Sequence, residues 1–135
     1  MKPKLLFTAS AIYLALAGLG MFLLPQLTVS GALTGVPVDV VSLVRGNGAS
    51  IFAFGVLLWF ARDADASKAR NAIFVASAVA AGSAAVLDVW GLLGGGPVFL
   101  GPLAVVDALL AVAFILVGRA NTWTPGPSTA SAQAS

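Results

Sequence analysis

The chain has no cysteine, no histidine and no glutamate. Without cysteine there is no disulfide, no thiolate metal site and no cysteine nucleophile, and nothing that reports a redox compartment. Without histidine it lacks the commonest metal ligand and the commonest general base at neutral pH. Charge is scarce as well: 9% of the 135 residues are charged, against roughly 25% in an average soluble protein. The acids and bases that remain support only limited proton chemistry, so the sequence predicts no enzyme, no cofactor and no metal site. A pI near 9.5 raises the question of nucleic acid. However, six of the seven Lys and Arg flank apolar runs, which membrane topology explains better.

What the chain has in abundance is apolar surface. It is 59% hydrophobic with a mean hydropathy of +1.01, more than a single soluble domain of this length could bury. Four runs, at about 5–24, 41–61, 71–90 and 102–119, approach the roughly 20 residues that a membrane helix needs. Lys2 and Lys4 before the first run resemble the start of a signal peptide. The apolar stretch behind them outlasts the 7–15 residues of such a signal, so a retained helix is expected. The fold class predicted is all-α: a polytopic membrane protein built as an antiparallel four-helix transmembrane bundle.

The connections support four spans. Residues 26–40 read as a loop rich in turn formers, with Asp39 placed to cap the second helix. Arg62 to Arg70, RDADASKAR, is a short polar link that makes helices two and three antiparallel neighbours. Gly91 to Pro102 reads as a loop or re-entrant turn, because three consecutive glycines and two prolines oppose a regular helix. Gly94 to Gly96 lacks the Lys-Ser/Thr ending of a phosphate loop. Residues 120–135, rich in Pro, Ser, Thr and Ala, read as a disordered cytoplasmic tail, with Trp123 at the interface. With four spans, Lys2, Lys4, Arg62, Lys68, Arg70 and Arg119 all fall on one side. The positive-inside rule then predicts both termini in the cytoplasm.

The charges inside the spans carry the functional reading. Arg45 and Asn47 lie in the second run, Asp88 near the end of the third and Asp107 near the start of the fourth. Counted from the predicted helix ends, the three charges fall in the outer third of the membrane at nearly one level, with Asn47 slightly deeper. Charges in apolar helices find one another or water, so a polar cluster of Arg45, Asn47, Asp88 and Asp107 is expected, with Arg45 paired to one aspartate. Gly46, Gly48, Ala49 and Ser50 form a small-residue patch for close helix contact. Ser77, Ala81, Ala84 and Ala85 share a narrow face with Asp88, and Ala104, Ala111, Phe114 and Gly118 share one with Asp107. Tyr13, mid-span in the first helix, is expected to bond its hydroxyl within the bundle.

Several of these features occur together in a known type of protein. An apolar first helix ends near Pro25, Arg45-Gly46 opens the second, and Phe54-Gly55-Val56, Trp59 and Ala61-Arg62 follow. Leu87-Asp88 closes the third helix, and Asp107 lies early in the fourth. From Leu5 to Arg119 the chain resembles small four-helix bacterial membrane proteins of the DoxX-like kind and neighbouring families of unknown function. The resemblance implies a four-helix bundle in a bacterial inner membrane. For DoxX itself it implies a subunit of a thiosulfate:quinone oxidoreductase, an activity not carried over to a chain without cysteine or another redox ligand.

The function expected from the sequence is therefore a non-catalytic accessory or scaffold component of the membrane. Its partners would be membrane lipids and either further copies of itself or a larger complex, with no nucleic acid. The alternatives are a binder or carrier of a lipophilic molecule, a quinone or lipid, and a proton-coupled small exporter. The uncharged first helix counts against the exporter.

Overall fold

A computed structural model describes residues 2–30 and 38–121. The expected tail beyond 121, Trp123 and residues 31–37 of the first loop lie outside the described residues. The described chain is all-helical: α1 (Pro3–Leu23), α2 (Pro25–Ser30), α3 (Val38–Ala61), α4 (Lys68–Leu93) and α5 (Leu100–Ala120). The four long helices are each apolar and long enough to cross a membrane. This is a multi-pass membrane architecture.

Local chemistry sets the helix ends. Pro3 stands in the first turn of α1, where its missing N–H is no loss. Leu24 leaves the helical region because the proline after it disfavours that conformation. Pro25 then opens α2, a short helix where the sequence predicted only loop. Asp39 sits inside the first turn of α3 instead of capping it from outside, in the position where an acid faces the positive end of the helix dipole. Ser67 caps α4, its hydroxyl accepting the Arg70 N–H at 3.1 Å.

The break after α4 is shorter than expected, since α4 continues to Leu93 and α5 begins at Leu100. Gly95 adopts φ +83°, a conformation open to glycine at little cost. Pro102 is accommodated in the first turn of α5.

The bundle is two helix pairs. α1 packs along α3, and α4 along α5, while contacts between the pairs are sparse. Glycine makes the first pair close. A Cβ at Gly48 would lie 2.7 Å from the Phe22 nitrogen and 2.8 Å from the Gly18 oxygen, and one at Gly55 would lie 2.8 Å from the Ala15 nitrogen. Of the small-residue patch predicted at 46–50, only Gly48 serves this contact; Gly46 meets nothing, and Ala49 and Ser50 are exposed. In the second pair Gly118 admits Phe74, whose Cβ would lie 3.2 Å from an added Cβ. Ala104, Ala111, Phe114 and Gly118 are buried, the face predicted from their spacing.

The pairs are joined at one end. Phe7, Phe74 and Phe114 meet there, with Phe7 stacked on Phe74 at a 4.7 Å centroid distance and Phe114 6.0 Å from Phe7. Leu6, Leu58 and Val117 complete this core. All come from the ends of the helices that carry the basic residues, here called the basic end. Above the core, Lys4 Nζ lies 2.7 Å from Asp63 Oδ1 and Arg62 Nε 3.1 Å from Asp63 Oδ2. The Lys4 hydrogen bond, followed by that of Arg62, holds the Asp63 carboxyl below its usual range. Arg62 also stacks on Trp59, 3.6 Å from the ring centroid. Arg70 donates to the carbonyls of Ala64, at 2.9 Å, and Asn121, at 3.4 Å, tying the α3–α4 turn to the end of α5. Outward surfaces are apolar: Trp90 is 77% and Leu93 83% exposed, as helices solvated by lipid require.

Candidate functional site

Because the two pairs converge at the basic end and touch little elsewhere, a space remains between them. It is a cavity of about 560 Å³ lined from every helix, within the 300–1,000 Å³ usual for small-molecule sites. Its walls follow helical spacing. Ser10, Tyr13, Leu14, Ala17 and Met21 come from α1, and Asn47, Ser50, Ile51 and Phe54 from α3. Ser77, Ala81, Ala84 and Asp88 come from α4, and Leu103, Asp107, Leu110 and Phe114 from α5. The α4 face read from the sequence as suited to close helix contact is therefore a cavity wall. Alanine there makes room for an occupant.

Three of the four residues predicted as a polar cluster line this cavity: Asn47, Asp88 and Asp107. They sit deeper than the sequence suggested because the helices are longer than the apolar runs. Asp107 is seven residues into α5 and Asp88 five residues from the end of α4, about 10 Å and 7 Å from those ends at 1.5 Å per residue.

Arg45 is the exception. It is exposed, it does not line the cavity, and among the described residues it forms no ion pair. The expected Arg45–aspartate lock is therefore corrected. Arg45 precedes Asn47 by two positions, roughly 200° around a helix. A helix that turns Asn47 to the cavity must turn Arg45 away from that face.

Tyr13 takes the place expected of Arg45. Its hydroxyl donates to Asp107 Oδ1 at 3.3 Å, the bond within the bundle that the sequence predicted for it without naming the acceptor. Its signal was available: one phenol in an otherwise apolar run, near the level of Asp107.

Ser10 gave no such signal, and Ser77 was read only as a small residue on the face of Asp88. Both are fully buried, at 0% and 1% exposure. Both line the cavity near Phe114, and neither hydroxyl has a hydrogen-bond partner. Helical serines commonly bond back one turn, as Ser50 does to the Gly46 carbonyl at 3.1 Å, so two that do not are unusual.

The cavity thus has an apolar body, an acidic and phenolic pole, and two buried, unpartnered hydroxyls in the wall toward its floor. No Lys or Arg lines it, and no three His, Cys, Asp or Glu side chains gather as a metal site among the described residues. Fold and site together define a four-span membrane bundle with a polar-ended apolar chamber, partly open, between its helix pairs. A comparison with known protein families, curated proteins and solved structures finds no match to the chain, so the functional reading rests on the chamber's geometry.

Proposed function

We propose that the protein is a non-catalytic membrane binder or carrier of one small lipophilic molecule. The observation that carries this reading is the 560 Å³ cavity between the helix pairs, apolar along its walls and polar at its end. A space of this size and lining suits a bound small molecule. The accessory role expected from the sequence rested on the scarcity of reactive side chains and on small-residue faces, and one such face, with Ser77, Ala81 and Ala84, borders the cavity instead. The same reading puts the protein in the cytoplasmic membrane with its basic end inward. Lys4, Arg62, Lys68, Arg70 and Arg119 at one end support that orientation by the positive-inside rule.

Native mass spectrometry of the protein released from nanodiscs tests the proposal. The expected result is a one-to-one lipophilic adduct on the native protein that is lost in Ala84→Phe, whose ring fills the chamber, with helical circular dichroism unchanged. A native protein that carries no adduct and takes up none from added lipid extract refutes it.

A further inference from the structure

The chamber's pole carries two carboxylates and no cationic side chain among the described residues. Asp88 and Asp107 both face the cavity and lie within reach of each other's charge. The described residues supply no cation there: Arg45 points away, and no other Lys or Arg lines the space. Asp107 receives one hydrogen bond, from neutral Tyr13, and no described side chain donates to Asp88. Carboxylates in a low-dielectric site need a proton or a positive partner. An anionic headgroup would be repelled by such a pole. A quinone, which offers only acceptor oxygens, would find a donor in the Asn47 amide but leave both carboxylates unmatched.

At the floor, Ser10 stands one helical turn from Tyr13 on the same face of α1. Its hydroxyl and that of Ser77 are buried and unpartnered. An unpaired buried hydroxyl is costly to leave unsatisfied, so the wall behind the pole keeps unmet hydrogen-bonding capacity.

We propose that the occupant is a lipophilic organic cation: a hydrophobic amine whose charged N–H group is shared by Asp107 and Asp88 and whose apolar body lies along the alanine wall of α4. This rests on the ligand-binding reading of the chamber and specifies its ligand class. The amine supplies the positive charge and the donors that the pole lacks, and charge-assisted hydrogen bonds to carboxylates are the strong kind. Asn47, facing the same space, adds an amide oxygen as a further acceptor.

A matched set of probes tests the assignment. The protein in lipid nanodiscs is titrated calorimetrically with 1-aminoadamantane, 1-adamantanol and 1-adamantanecarboxylate, with empty nanodiscs as the blank. These share one apolar cage and differ in headgroup charge. The amine is expected to bind at least about tenfold more tightly than the alcohol, the preference a charged hydrogen bond confers, and the carboxylate not at all. Asp107→Asn is expected to collapse the amine-over-alcohol ratio; it keeps an amide oxygen to accept from Tyr13. Asp88→Asn serves as an independent second variant should the first fail to fold. An alcohol that binds as tightly as the amine, or a ratio unchanged in both variants, overturns the cation assignment and leaves the chamber as a binding site. Failure of all three probes to bind, together with a native protein free of any adduct, overturns both readings.

Discussion

Gly48 and Gly46 are two residues apart in the same helix, yet the structure assigns them opposite responses to the same substitution. In Gly48→Ala the new methyl would lie 2.7 Å from the Phe22 nitrogen and 2.8 Å from the Gly18 oxygen, both backbone atoms of α1. Backbone cannot rotate away as a side chain can, so α1 and α3 must part by about 0.7 Å to restore ordinary contact near 3.4 Å. A gap of 0.5–1 Å forfeits about a quarter to a half of each dispersion contact it opens, and dispersion is the main force between helices in lipid. The expected loss is about 1–3 kcal/mol, the usual cost of overpacking. It is offset in part by the roughly 0.5–1 kcal/mol that alanine gains over glycine in a helix. In Gly46→Ala the methyl meets nothing within 4 Å, so only the gain remains and the variant is neutral or slightly more stable. Reversible unfolding in mixed micelles, titrated with sodium dodecyl sulfate and followed by circular dichroism, reads both variants against the native protein. Equal stability of Gly48→Ala and Gly46→Ala would refute the glycine-mediated contact of α1 with α3.

Two other perturbations follow from the same structure. Arg45→Ala is expected to change stability by less than about 0.5 kcal/mol, as for an ordinary surface position. Loss of one member of a buried pair would cost about 3–5 kcal/mol, so a loss of that size in the same unfolding titration would restore Arg45 to the cluster. Asp63, held below the usual carboxylate range by Lys4 and then Arg62, stabilises the folded state fully above the ordinary carboxylate pKa. That contribution disappears as pH falls through its lowered value. The stability difference between the native protein and Asp63→Asn should therefore be present at pH 7 and vanish in acid, and a difference independent of pH contradicts the Lys4–Asp63 bond.

The sequence led to the four long helices but not to α2, and three of the four polar residues it singled out line one cavity. Asn47, Asp88 and Asp107 were legible because polar groups in apolar runs are conspicuous whatever the fold. The pairing of Arg45 with an aspartate followed from matching depth alone, and depth leaves the direction around the helix undetermined. Tyr13 was seen to need a partner inside the bundle, but its acceptor lay 94 residues away. Ser10 was silent, and Ser77 was read only as part of a small-residue face, because a helical serine ordinarily satisfies itself one turn back. Only the packed helices show that these two do not.

Hydropathy and the position of basic residues are properties of the chain taken in one dimension. By itself the sequence therefore determined an all-helical membrane protein with four spans and its basic residues gathered at one end. Which helices pair, and whether a small-residue face closes on a neighbour or borders a void, depends on how several faces are shared out at once. Gly48 and Gly55 draw α3 onto α1, Phe7, Phe74 and Phe114 hold the two pairs together at the basic end, and the alanines of α4 are left facing a space. Each of these outcomes was compatible with the local pattern. The tertiary structure decided among them because backbone approach, side-chain volume and the turn of each helix have to be satisfied together.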